Sequence, residues 1–138
     1  MEIKQISVFF ENKPGRLGEV TKVLADAGIN LRAISIADTA DFGILRLIVN
    51  DHEKAIAALN EAGFTTRVTN VAAVEIEDKP GSLARVMDIF KTANVNIEYL
   101  YASLEGKSGK AVVIFKLGEH DRGLRLIEEN SLSMVESF

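Results

Sequence analysis

The heptapeptide E-N-K-P-G-R-L at Glu11 to Leu17 returns as E-D-K-P-G-S-L at Glu77 to Leu83, 66 positions further along the chain. The same offset carries Val20 onto Val86, Leu24 onto Phe90, Ala27 onto Ala93, Ile29 onto Val95, Asn30 onto Asn96 and Leu31 onto Ile97. After a two-residue difference in length between 39–41 and 105–110, the offset becomes 68. Leu45, Leu47 and Val49 then meet Val113, Phe115 and Leu117, and the only two histidines, His52 and His120, coincide. Self-similarity at a fixed period outranks any residue-level pattern, because whatever one half folds into the other must fold into as well. Two copies are too few for a solenoid. In a chain of 138 residues each copy is a small unit. A unit of that size buries only about 60% of its extended-chain surface, so docked halves are expected.

Within the first copy Ile6, Val8 and Phe10 alternate as a strand, and Leu17, Val20, Leu24 and Ala27 then follow helical spacing. Pro14-Gly15 opens this helix, proline being suited to a first turn where its missing amide hydrogen has no intrahelical partner. Gly28 stands at the C-terminal cap, and residues 30–37 form a second strand. A turn at 38–42 leads into a third strand over 43–49. Asp51 caps a second helix that carries Ala55, Ile56 and Leu59 and closes at Gly63, and residues 64–69 supply a fourth strand. The second copy repeats this as 71–77, 80–93, 96–104, 110–117, 120–130 and 132–138, with Asn70 as almost the whole linker. The expected class is α+β: two ferredoxin-like βαββαβ sandwiches, residues 1–69 and 70–138, each an antiparallel sheet with both helices on one face. In the third strand Leu45, Leu47 and Val49 should face the helices. Ile44 and Ile48 put apolar groups on the other face, as Val112 and Ile114 do in the second copy, so either the other copy or a second chain should cover it.

Composition narrows the function. With no Cys there are no disulfides, zinc thiolates, iron–sulfur ligands or thiol nucleophiles. A net charge of −4 gives no electrostatic reason for a nucleic-acid or anionic-membrane partner. No stretch approaches the roughly 20 apolar residues of a membrane span, and the start lacks the basic then apolar pattern of a signal peptide, so the reading is cytoplasmic. His52 and His120 read as helix-start residues and not as metal ligands, one per copy being a thin set. Gly106-Lys107-Ser108 reads as a hairpin turn, since the phosphate-loop motif needs a Gly where Tyr101 stands. Asp41-Phe42-Gly43 is turn chemistry. Of residues 111–116 only Phe115 is aromatic, which leaves no base-stacking platform for RNA. Tyr99 and Tyr101 alternate on one strand face and read as packing.

The repeated loop is the remaining candidate for chemistry. At Asn12, Lys13, Pro14, Gly15, Arg16 and Leu17, and again at Asp78, Gly81, Ser82 and Leu83, a strand ends in a short polar loop and a helix begins. First-turn amides lack helical partners and carry the positive end of the helix dipole, and glycine lets a carboxylate approach the backbone. Asn12 offers both an acceptor and donors, as the ammonium and carboxylate of an amino acid require, and Asn30 can serve similarly from a neighbouring unit. Pro-Gly and Asn also belong to ordinary turns, but stability alone does not require the same polar residues twice.

These residues carry a family resemblance. E-N-K-P-G-R-L followed by G-I-N-L at Gly28 to Leu31 resembles the ACT domain, the small-molecule-sensing module attached to many amino-acid biosynthetic enzymes, and the whole chain resembles a stand-alone pair of ACT domains. The resemblance implies a βαββαβ fold, side-by-side pairing of units and an amino-acid effector between the first βα loop of one unit and its neighbour. It places the effector-holding asparagines of serine-sensing ACT domains on Asn12 and Asn30, and the loop glycine on Gly15. The chain departs from that pattern at Phe10, where those domains have a His. The second copy departs further, with Asp78 for the Asn and Asn94 for the capping Gly, while Asn96 is kept; Asp78 would repel a carboxylate and attract an ammonium. The expectation is therefore a non-catalytic homodimer without cofactors that binds an amino acid and regulates a metabolic enzyme. The alternative is an interaction subunit that docks through its open sheet face with no ligand of its own.

Overall fold

The computed structural model describes residues 3–39, 41–104 and 107–138. Among these it has seven strands and four helices: β1 (Ile3–Glu11), α1 (Arg16–Asp26), β2 (Leu31–Asp38), β3 (Phe42–Val49), α2 (His52–Glu61), β4 (Thr65–Glu77), α3 (Ser82–Thr92), β5 (Ile97–Ala102), β6 (Lys110–Leu117), α4 (His120–Glu129) and β7 (Ser133–Met134). The chain divides into two compact units, Lys4–Thr69 with Phe138 and Asn70–Ser137 with Ile3. In the first unit β1 and β2 both pair antiparallel with β3. In the second, β4 and β5 both pair antiparallel with β6, and β7 adds to β4.

The repetition reaches down to irregularities. β2 carries a bulge between Leu31 and Ala33, and β5 carries one between Ile97 and Tyr99, at matching positions. All four helices end the same way. After α1 the Ile29 amide donates to the Leu24 carbonyl and the Gly28 amide to Ala25; after α2 Phe64 donates to Leu59 and Gly63 to Asn60. The same pairs recur as Val95 to Phe90 with Asn94 to Lys91, and Leu132 to Ile127 with Ser131 to Glu128. This pair of hydrogen bonds satisfies two of the last carbonyls and requires a left-handed residue just past the cap. Gly28 and Gly63 supply it at φ 72° and 90°, Asn94 and Ser131 at 58° and 53°.

Each unit has its own core between sheet and helices. In the first, Ile6, Val8 and Phe10 of β1 and Leu45, Leu47 and Val49 of β3 meet Val20, Leu24, Ala55 and Leu59 of the helices. In the second, Val74, Val113, Phe115 and Leu117 meet Val86, Phe90 and Ile127. Burying one such side chain contributes about 1.5–3 kcal/mol, so the alternation of the strands and the 3–4 spacing of the helices fix which face turns inward.

Several expectations are corrected. Asn70 is not a linker: β4 runs unbroken through it, because residues 65–77 contain neither Gly nor Pro and are rich in β-branched residues. The strand expected over 132–138 is reduced to Ser133–Met134, although the Val135 amide still donates to the Ala73 carbonyl at 2.8 Å. Ile48 and Ile114, expected to be covered, are 2% and 0% exposed, and Ile44 is half-buried. The turn ascribed to Gly106-Lys107-Ser108 lies outside the described residues at Gly106. From Lys107 onward the Lys110 amide closes a turn on the Lys107 carbonyl, with Gly109 at φ 76°.

Candidate functional site

Both βα loops adopt one geometry. The Asn12 amide donates to the Asp41 carbonyl, Lys13 to Glu11, Arg16 to Lys13 and Glu19 to Gly15; in the second copy Asp78 donates to Gly109, Lys79 to Glu77, Ser82 to Lys79 and Arg85 to Gly81. Gly15 and Gly81 are the N-caps, at φ 88° and 91°, and neither cap has a side-chain hydrogen bond. The prolines therefore do not open the helices. Pro14 and Pro80 sit one residue before the cap, inside the turn. The glycines answer a left-handed backbone and not crowding, since a Cβ on either would meet nothing within 4 Å. The first intrahelical bonds are those of Glu19 and Arg85, so the amides of Leu17 and Gly18, and of Leu83 and Ala84, have no helical acceptor.

Charge around the two mouths differs. In the first copy Lys13 Nζ lies 2.6 Å from Glu11, and the Arg16 guanidinium spans Glu19 at 3.1 Å and Glu11 at 3.9 Å. In the second, Lys79 Nζ lies 2.6 Å from Glu77 and Lys110 Nζ 4.0 Å from it, while Ser82 replaces Arg16 and Arg85 replaces Glu19. The lysine hydrogen bond holds the Glu11 and Glu77 carboxyls below the usual carboxylate range. The first turn of α1 carries Glu19, whereas that of α3 carries no acid.

Beside each loop lies a cavity, and the two occupy the same place in their copies. The first, of about 340 Å³, is lined by Phe9, Phe10, Glu11, Arg16, Phe42 and the Gly63–Thr65 segment. The second, of about 500 Å³, is lined at the matching positions by Glu75, Ile76, Glu77, Ser82, Lys110 and the Ser131–Ser133 segment, with Lys79, Pro80, Gly81, Arg85 and Val86 in addition. The strand registers are equivalent, Glu11 opposite Phe42 and Glu77 opposite Lys110. The backbone thus builds one cavity twice and lines it with aromatic rings in one copy and with charge in the other. Of the loop residues anticipated from sequence, Arg16, Gly81 and Ser82 line these cavities. Asn12, Lys13, Pro14, Gly15 and Leu17, with Asp78 and Leu83, stand in the loops or first turns beside them. Phe9, Phe42, Phe64, Glu75 and Lys110 were not anticipated. Extending the internal alignment to the strand opposite each loop is the signal that exposes them.

Asn30 and Asn96 are elsewhere. The Asn30 amide donates to Asn50 Oδ1 at 3.1 Å, and its carbonyl accepts from the Asn50 amide at 3.4 Å. The Asn96 carbonyl likewise accepts from the Gly118 amide at 2.8 Å. Leu31 pairs with Val49 at one end of β3 and Glu11 with Phe42 at the other. At 3.3 Å per residue this puts Asn30 and Asn12 of one unit roughly 23 Å apart, too far to share a small ligand.

The rival sites find no geometry. His52 and His120 begin α2 and α4, and no group of three metal-ligating residues occurs among the described residues. Phe115 is fully buried against Phe90, ring centroids 5.6 Å apart, and cannot stack a base. Tyr101 is 8% exposed. Among the described residues no helix is long and apolar enough to cross a membrane.

Comparison with known proteins agrees with this architecture. A protein of Bacteroides thetaiotaomicron known from its crystal structure is 40% identical, with a TM-score of 0.92, over 98% of this chain and 92% of that one. The regulatory subunit of aspartate kinase from Thermus thermophilus, in its ligand-free form, is 20% identical with a TM-score of 0.68 over 94% and 93% of the two chains. That from Thermus flavus is 19% identical with a TM-score of 0.63 over 94% and 92%. No curated protein matches the chain. The family description that does match, the ACT domain pair, spans residues 1–137, and with the duplicated βαββ units and their twin βα loops it makes this chain a member of the ACT family.

Proposed function

We propose that this ACT domain pair is a non-catalytic cytoplasmic regulator that binds an amino acid at its βα loops and acts on an enzyme of amino-acid metabolism. One observation carries the reading. The same left-handed glycine, the same first-turn amides without helical acceptors and a cavity of ligand size recur in both copies. A carboxylate suits those amides, and the carboxylates and side-chain amides of the loops suit an ammonium. Asn12, Lys13, Gly15, Arg16 and Leu17, and in the second copy Asp78, Gly81, Ser82 and Leu83, form the effector loops. The separation of Asn12 from Asn30 within one unit supports a homodimer in which Asn30 or Asn96 completes a site formed by a neighbouring ACT unit. The likeness in fold to regulatory subunits of aspartate kinase supports an enzyme as the listener. A bound effector regulates by favouring one arrangement of units over another, so it must bind the two unequally.

Isothermal titration of the whole chain with each of the twenty amino acids, with Asn12→Ala alongside, tests the proposal. A selective heat that weakens at least tenfold in Asn12→Ala is expected. Silence across all twenty would reject it.

A further inference from the structure

Two cavities on one backbone frame allow the requirements of the fold to be separated from those of a ligand. Phe10 and Phe64 pack on the first core, and their counterparts Ile76 and Leu132 pack on the second, so an apolar residue at those positions serves stability. At the other two aromatic positions the second copy places Glu75 for Phe9 and Lys110 for Phe42, both lining its cavity. The fold thus accepts a charge at these two sites, and packing does not demand a ring at either. Phe42 is nevertheless 59% exposed, with an aromatic face left in water at the rim. Arg16 and Glu11 stand at the same rim, one with guanidinium donors and the other with a carboxylate. Arg16 is also replaced in the second copy, by Ser82.

We propose that the first-copy cavity takes an amino acid with a large apolar side chain, which lies against Phe9, Phe42 and Phe64 while Arg16, at the first-turn amides of α1, helps them receive its carboxylate and Glu11 receives its ammonium. This rests on the amino-acid reading above and adds the class of effector. Three features support it. The volume, about 340 Å³, falls in the range of small-ligand sites, and a lining in which four aromatic rings stand beside a few polar groups is of the kind such sites share. Aromatic rings give large contact area at low conformational cost. Glu11 meets Lys13 through Oε2, and its Oε1, 3.9 Å from the Arg16 guanidinium, is placed for an ammonium beside a carboxylate held by Arg16. The second cavity has Glu75 and Lys110 in place of two of these rings and is not expected to discriminate in favour of apolar side chains.

The test is calorimetry and thermal denaturation of the whole chain with L-phenylalanine, L-leucine, L-serine and L-aspartate, in the native protein, Phe42→Lys and Phe9→Glu. Each variant imports the residue that the second copy already carries at that place. An unchanged far-UV spectrum and melting midpoint without ligand establish that it folds, and the two variants serve as each other's control. L-Phenylalanine or L-leucine should bind, L-serine and L-aspartate at least tenfold more weakly, and the preferred ligand should lose at least tenfold in both variants. Serine or aspartate binding as tightly, or undiminished affinity in a folded variant, overturns the inference. If a polar amino acid binds and is lost in Asn12→Ala but not in Phe42→Lys, the regulatory reading stands and this one falls. If none of the four binds, this inference falls, and if the titration of all twenty is silent as well, the regulatory reading falls with it.

Discussion

A Cβ at Gly43 would stand 2.5 Å from Cζ of Phe10, whose ring lies across it from the facing strand position. Gly43→Ala is therefore expected to cost about 1–3 kcal/mol in urea denaturation, because a 9%-exposed ring has little room to move. In a Phe10→Ala background the same substitution should cost almost nothing more, and additivity of the two would refute the contact. Gly15 and Gly81 present the opposite case. Their surroundings are empty but their φ is positive, so alanine at either should cost about 1 kcal/mol through backbone strain alone. Glu11 and Glu77 titrate below the ordinary carboxylate range because Lys13 and Lys79 bond to the ionised form. A carboxyl depressed in the folded state stabilises above its unfolded pKa, and that contribution is lost as pH falls through the folded value. Both side chains are about half exposed, so the effect on stability is small, and NMR titration is the sensitive readout: Lys13→Ala and Lys79→Ala should each return their glutamate toward the ordinary range.

Among the elements, the helix ends are the most uniform feature, and they differ in how well the residue suits the conformation. Gly28 and Gly63 adopt left-handed φ freely, Asn94 does so at some cost, and Ser131 pays the full steric penalty. Ser131→Gly should thus raise the melting midpoint by about 3 °C, Asn94→Gly by less, and Gly28→Ala should lower it. At the other end of α2, Asp51 accepts from the Lys54 amide at 3.1 Å, while Glu119 of α4 makes no such bond. Helices were legible in the sequence because their spacing and caps are local. The Gly28 and Gly63 stops and the Asp51 cap stand where periodicity ends. The continuity of β4 through Asn70 was not legible, because strand continuity depends on neighbours across the sheet. The role of Pro14 was misplaced by one residue, since only the φ of Gly15 shows where the helix begins.

Over the whole molecule the duplication was the most informative signal, because equivalent positions constrain each other. The helix-facing leucines and valines of both cores could be named in advance from it. The cavity linings could not, since a cavity is formed by strand ends and a helix exit distant in sequence, and Phe9 or Phe42 read alone as ordinary strand residues. Leu24 and Phe90 occupy the same place in the two cores and are 1% and 0% exposed. Leu24→Ala should cost about 2–5 kcal/mol and Phe90→Ala about 3–5 in chemical denaturation; a cost below 1 kcal/mol for either would mean that its core closes around the gap. Since the left-handed caps, bulges and strand registers are common to both copies, each lining position has a donor residue elsewhere in the same polypeptide that is already proven in that frame. The chain is thus its own parts catalogue for protein engineering: exchanging linings between copies would re-specify what each half accepts without redesigning a backbone.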